Sequence, residues 1–157
     1  MQAEIIAVGT EILLGQIVDT NSAFIARELA EAGIEVYYHS LVGDNATRLT
    51  AVVEQARSRS DLVIISGGLG PTKDDLTKQT VAHLLGVKLV EDALAMAKIR
   101  RRFAINGREM TPNNRLQALY PAGSQPLANR TGLAVGAFYQ DPDGADIMLL
   151  PGPPSET

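Results

Sequence analysis

Asp61–Thr77 reads "DLVIISGGLGPTKDDLT", and its two halves ask for different backbones. Leu62 to Ile65 form a continuous apolar run, too short for a helix and closed by Ser66 and Gly67. Such a run predicts a strand buried on both faces, the pattern of a parallel sheet covered by helices. The second half holds three glycines, a proline and two adjacent aspartates. It reads as a tight turn that opens a helix over Lys73 to Leu85, with Gly86 as its stop.

Working outward, the same alternation recurs. "AEIIAVG" (Ala3 to Gly9) is a second short buried strand. The stretch from Asp19 to Ala32 then places Phe24, Ile25, Leu29 and Ala32 on a helical period, with Asp19, Thr20 or Asn21 as cap and Gly33 as stop. "IEVYYHSLV" (Ile34 to Val42) is β-branched and aromatic, as strands are. The helix after it can be capped by Asp44, Asn45 or Thr47. Three strand–helix alternations predict an α/β fold with a mostly parallel sheet between helical layers. Downstream, a helix spans about Glu91 to Asn106, acidic at its start and basic later, as the helix dipole favours. Asn106 to Pro126 reads as loop, short helix capped by Asn113 or Asn114, and loop. "LAVGAFYQ" and "ADIMLL" flank the turn signal "DPDG", which predicts a C-terminal β-hairpin. "PGPPSET" is proline-rich and is expected to lie outside regular structure. The chain is expected to be one domain over residues 1–157 that continues into a further C-terminal segment.

Composition narrows the function. A formal net charge of -4 gives no global attraction to nucleic acid or anionic membrane. The absence of cysteine excludes a disulfide framework, thiolate metal sites and thiol nucleophiles. No apolar run approaches a membrane span, so a cytoplasmic protein is expected. His39 and His83 have no partner pattern and read as fillers. "RELAEAGI" (Arg27 to Ile34) lacks the length and the upstream glycine of a Nudix box and reads as an ordinary amphipathic helix.

In a parallel sheet, ligands bind beyond the carboxyl ends of the strands. Three strand ends carry polar clusters: "GTE" (Gly9 to Glu11), "GDN" (Gly43 to Asn45) and "GGLGPTKDD". Gly67, Gly68 and Gly70 can turn backbone N–H groups toward an anion, which makes a phosphate cradle. Neither a dinucleotide fingerprint nor a P-loop is present. Thr72 and Asp75 have the spacing of a capping box, the commoner use of that pattern. Glu11, Asp44 and Asp75 together at strand ends repel one another unless a hard cation such as Mg²⁺ sits among them.

Four stretches carry a family resemblance: "VGTEILLGQIVDTN" (Val8 to Asn21), "SGGLGPTKDDLT", "NGREMTPNNRLQALYPAG" (Asn106 to Gly123) and "LLPGPPSE" (Leu149 to Glu156). In this order the chain resembles the N-terminal domain of the competence/damage-inducible CinA family. That domain belongs to the molybdopterin-binding superfamily that includes MogA, MoaB and part of MoeA. The resemblance implies a three-layer α/β/α fold of MogA/MoaB type that binds a phosphorylated small molecule, a nucleotide or a pterin, and forms homo-oligomers. It implies an enzyme, an ADP-ribose pyrophosphatase using Mg²⁺ or Co²⁺, with Asp44 and Asp75 as catalytic and metal-binding residues. Thr10, Glu11, Asp19 and Asn21 would line the ligand crevice. Gly67, Gly68, Gly70 and Thr72 would wrap phosphate, with Asp74 and Thr77 beside it. Asn113, Asn114, Pro151 and Gly152 would close the far side. The alternatives are a molybdopterin-binding protein of cofactor biosynthesis and a non-catalytic nucleotide-binding or oligomerisation module. Two departures stand out: "NRTGLAVG" (Asn129 to Gly136) replaces a family loop close to "NPxGTAPG", and Thr157 stands where the family usually has Met. The nicotinamide mononucleotide deamidase activity of the family's second domain is not assigned to these residues.

Overall fold

The computed structural model describes residues 1–156; Thr157, with its departure from the family pattern, lies outside the described residues. The first half of the chain runs β1 (Gln2–Val8), α1 (Thr10–Leu13), α2 (Thr20–Glu31), β2 (Glu35–Val42), α3 (Ala46–Arg59), β3 (Leu62–Ser66) and α4 (Thr77–Leu85). The second half runs β4 (Leu89–Glu91), α5 (Ala93–Ile105), a 3₁₀ helix (Pro112–Ala118), β5 (Leu119–Pro121), β6 (Gln125–Leu127), β7 (Gly136–Tyr139), β8 (Asp146–Leu150) and a 3₁₀ turn (Pro154–Glu156).

Six strands form one sheet in the order β2-β1-β3-β8-β7-β6. The first four are parallel, and β7 and β6 add antiparallel. β3, the strand of the opening stretch, is buried at every position. Its alternate residues feed two cores. Val63 and Ile65 pack with Ile6, Val8, Leu49, Val53 and Val81 beneath α3 and α4. Leu62 and Ile64 pack with Ala3, Ile5, Ile25 and Leu29 beneath α2. Helices therefore cover both faces, the three-layer arrangement expected. A third cluster of Met96, Ile99 and Ala118 joins α5 to the 3₁₀ helix.

Local differences from expectation have identifiable causes. α4 starts at Thr77 rather than Lys73. The Asp75 carboxylate accepts from Thr72 N (2.9 Å) and Thr72 Oγ1 (2.7 Å), which closes a separate turn before the helix. Half of the capping box is thus present, but no helix grows from it. The short helix after Met110 is 3₁₀, follows Thr111 and starts at Pro112, so Asn113 and Asn114 sit inside it rather than capping it. Phe24 is exposed because α2 turns Ser22, Ile25 and Leu29 toward the sheet instead. The hairpin is no appendage: β8 pairs in parallel with β3 and completes the main sheet. Within "PGPPSET", Pro154 starts a 3₁₀ turn, a position where its missing N–H costs nothing. α1, the strand pair β4–β5 and strand β6 were not anticipated; each has three or four residues, too few for a period to show. Among the described residues, no helix is long and apolar enough to cross a membrane.

Candidate functional site

The carboxyl ends of β1, β3 and β8 meet at one edge of the sheet. Gly67 N donates to Leu150 O (3.0 Å), continuing the β3–β8 ladder one step into the loops. Gly67 then takes a left-handed φ of 102° and passes so close to Val8 O that a Cβ there would collide with it. Gly68, at φ 74°, presses against the hydroxyl of Thr77 in the same way. Bare backbone at these two positions is therefore required by the turn itself. Thr77 is fully buried and its Oγ1 donates to Gly67 O (2.8 Å), so it fixes the loop from below.

Glu11, Gly67, Gly68, Gly70, Asp75 and Gly152 line a single cleft of about 390 Å³ at this edge. These are six of the residues expected to form the site. Leu69, Gly70, Gly152 and Pro153 also border a second lobe of about 320 Å³, whose far wall includes Arg102, Gln117, Leu133 and Glu156. A smaller hollow of about 200 Å³ at the start of α5 holds none of the expected residues.

The remaining expected residues stand behind or beside the cleft. Asp44 Oδ2 accepts from Thr10 N (3.2 Å) and Thr10 Oγ1 (3.1 Å), while Asp44 N donates back to Thr10 Oγ1 (3.1 Å). This clasp fixes the start of α1, and with it Glu11. Asp19 caps α2 through Ser22 N (3.1 Å) and Ser22 Oγ (2.6 Å). Asn21 Nδ2 donates to Gly152 O (2.6 Å) and to Ser66 Oγ (3.2 Å), tying α2 to the "PGPP" turn that begins at Pro151. Asn113 Nδ2 donates to Pro71 O (3.1 Å) at the rim, and Asn114 Nδ2 to Thr111 Oγ1 (2.6 Å) farther out. Asp74 points to solvent. Thr72 holds Asp75 as described. Asp44 is not among the residues lining the cleft, whereas Glu11 and Asp75 are.

Several residues that build the site were not among those expected to form it. The atypical loop after Asn129 is one: Asn129 Nδ2 donates to Glu156 Oε2 (2.7 Å), and Thr131 Oγ1 to Ser155 O (2.6 Å). Lys98 Nζ holds the same loop by the carbonyls of Asn129 (2.5 Å) and Gly132 (2.6 Å). The loop thus steadies the end of "PGPPSE" and supplies Leu133 and Ala134 to the second lobe. Lys78, buried in α4, donates from Nζ to Leu116 O and Gln117 O, both at 3.1 Å. Burial lowers its pKa to about 7, with the negative charge of Asp75 opposing the shift.

Comparison with known proteins agrees with this fold. Residues 4–157 match the family model described as probable molybdopterin binding domain. A competence-damage inducible protein of Lactiplantibacillus plantarum is 69% identical over 99% of this chain and 37% of its own length. Curated relatives of this kind are matched over only 37–40% of their length. Among solved structures, the protein CinA of Thermoplasma acidophilum, of unknown function, superposes with a TM-score of 0.88 at 36% identity, covering 99% of this chain and 90% of that one. MoaB of Thermus thermophilus superposes with a TM-score of 0.65 at 22% identity, covering 99% and 83%; this likeness concerns the fold.

Proposed function

This chain belongs to the probable molybdopterin binding domain family, and from that premise we propose that it is a metal-dependent hydrolase of the diphosphate in ADP-ribose or a related nucleotide. The observation that carries the reading is the single cleft in which the Gly67–Gly70 loop faces the carboxylates of Glu11 and Asp75. Backbone N–H groups of a glycine turn suit phosphate oxygens, and carboxylates beside them suit a hard cation.

The donor set fits such an ion. Among the described residues no group of three or more Asp, Glu or His is assembled, so an all-protein cage is not on offer. Mg²⁺ does not need one, because it binds through one or two carboxylates plus substrate phosphates and water. Asp75 and Glu11 would hold it. Asp44, expected as the partner of Asp75, acts in this reading through its clasp on Thr10. When bound, the cation would neutralise diphosphate charge and supply an activated water. The chain's own part is positional. The glycine loop grips one phosphate, Thr72 keeps Asp75 aimed into the cleft, and Asn21 holds the "PGPP" turn as the opposite wall. Attack of water on one phosphorus breaks the P–O–P link and leaves AMP and ribose 5-phosphate. A homo-oligomeric assembly is part of the same proposal.

The test is release of AMP from ADP-ribose by purified protein with Mg²⁺ or Co²⁺. Asp75→Asn should lower the rate by about 100-fold, the scale expected when a charge-stabilising group is lost, while the unfolding midpoint moves little. No release with either metal, together with unchanged ADP-ribose affinity in Asp75→Asn, would refute the proposal. The family description favours a second reading, a pterin-binding role in molybdenum cofactor biosynthesis. Pterin fluorescence copurifying with the protein would support it.

A further inference from the structure

We infer that the arginines of α5 and the adjoining loops gather anions for the cleft: the field of Arg100, Arg101 and Arg130 raises its affinity for polyphosphate without contact. This inference rests on the proposed phosphate site and adds what draws the ligand to it.

Charge is segregated along the chain. Residues 93–135 hold seven Lys or Arg and one acidic residue, Glu109, whereas the rest of the chain holds seven Lys or Arg against seventeen Asp or Glu. Two cations of the basic segment are engaged in the fold, Lys98 by the carbonyls of Asn129 and Gly132 and Arg115 by Glu91. The other five, Arg100, Arg101, Arg102, Arg108 and Arg130, are exposed and form no ion pair among the described residues. The dipole of α5 accounts for little of this. Its effect is confined to the last turn, and of these five only Arg102 lies there.

The cleft sits beside these charges. Arg102 and Thr131 both line the second lobe. Arg101 and Arg100 precede Arg102 by about 1.5 and 3 Å along the helix axis, and Arg130 is the chain neighbour of Thr131. At physiological salt a charge is felt over about 8 Å. These arginines therefore act on the lobe while their own side chains stay in water. The first lobe has the opposite character: Glu11 and Asp75 line it, and among the described residues no Lys or Arg does. An anion that meets those carboxylates before a cation arrives is repelled. The two flanks divide the work, with carboxylates collecting the cation and arginines the anion, as regions of one sign of charge concentrate ions of the other. The favoured ligand carries several negative charges, because the gain per arginine scales with the charge it meets.

The test is calorimetric titration with inorganic pyrophosphate at constant low Mg²⁺. It is run in about 0.02 M and about 0.5 M NaCl, between which the Debye length falls from roughly 20 Å to about 4 Å. The double variant Arg100→Gln, Arg101→Gln should lose about fivefold in affinity at low salt, and the loss should vanish at high salt. The control pair Arg27→Gln, Lys88→Gln removes the same charge from exposed residues outside the cleft lining. It should change the affinity by about twofold at most. Wild-type affinity in the α5 variant at low salt, a loss that persists at high salt, or an equal loss in the control pair overturns the role of the arginines and leaves the phosphate cradle standing. If the wild-type protein does not bind pyrophosphate, the cradle and the gathering field fall together. Hydrolysis of ADP-ribose, measured in parallel, decides the proposed reaction separately.

Discussion

Two buried charges at opposite ends of the molecule, Glu4 and Lys78, are handled in opposite ways. Glu4 lies near the amino end of the central strand β1 and is fully buried. Its carboxylate accepts from Arg59 Nε (2.9 Å) and Nη2 (2.7 Å), with Ser60 Oγ at 3.3 Å and Ser40 Oγ at 3.5 Å. Arg59 in turn stacks 3.5 Å over the Tyr38 ring. Every side of this charge is answered, and the network leads nowhere. Lys78, behind the carboxyl end, is given only two carbonyls, and burial shifts its pKa downward. The difference teaches where the fold spends its polar groups. At the amino end they close a seam. At the carboxyl end they hold loops in place, while Glu11 and Asp75 line a cleft.

Breaking the closed end should have the largest effect on stability. Glu4→Ala removes the carboxylate from a buried ion pair, a change that costs about 3–5 kcal/mol in general. Because Arg59 is partly exposed and can reach water, urea unfolding should place the loss at the lower end of that range. A loss below 1 kcal/mol would mean that the network is ornamental. Next comes Gly68→Ala, which forces a side chain into left-handed backbone and against Thr77. Strain and overpacking together should cost about 2–4 kcal/mol. An alanine accepted there without loss would show that the loop is looser than described.

A change of slope rather than of midpoint sharpens the contrast through pH. Folding makes Lys78 a weaker base than in the unfolded chain, so the unfolded state holds more protons between about pH 7 and the ordinary lysine range. Stability should therefore rise with pH across that window, and the burial cost should be present in full below it. Lys78→Met should flatten this part of the stability–pH curve, with Asp75 present in both proteins. Identical curves for wild type and variant would contradict the assignment.

The sheet was legible because β3 is a continuous apolar run, β1 is one from Ile5 onward, and "DPDG" marks its hairpin without ambiguity. Strands β4, β5 and β6 were not, since three residues carry no period. At the site, Glu11, Asp75 and the glycines were readable from their chemistry at strand ends. Gln117, Arg102 and Leu133 were hidden, because only the placement of α5 and the chain path after it bring them to the second lobe. Glu4 could have been noticed: a carboxylate inside "AEIIAVG" must meet a cation when its strand is buried. Asp44, named by the family resemblance, has its Oδ2 engaged by Thr10 of the neighbouring loop, a contact between residues 34 apart that the sequence does not reveal.

The division between a closed amino end and a receptive carboxyl end is tested most directly by titrating ¹⁵N-labelled protein with ADP-ribose and Mg²⁺ and following backbone amides. Shifts should concentrate at Gly67, Gly68, Gly70, Asp75 and Gly152, while Glu4, Tyr38 and Arg59 stay still. Shifts centred on the amino-end network, with the glycine loop unmoved, would contradict the account.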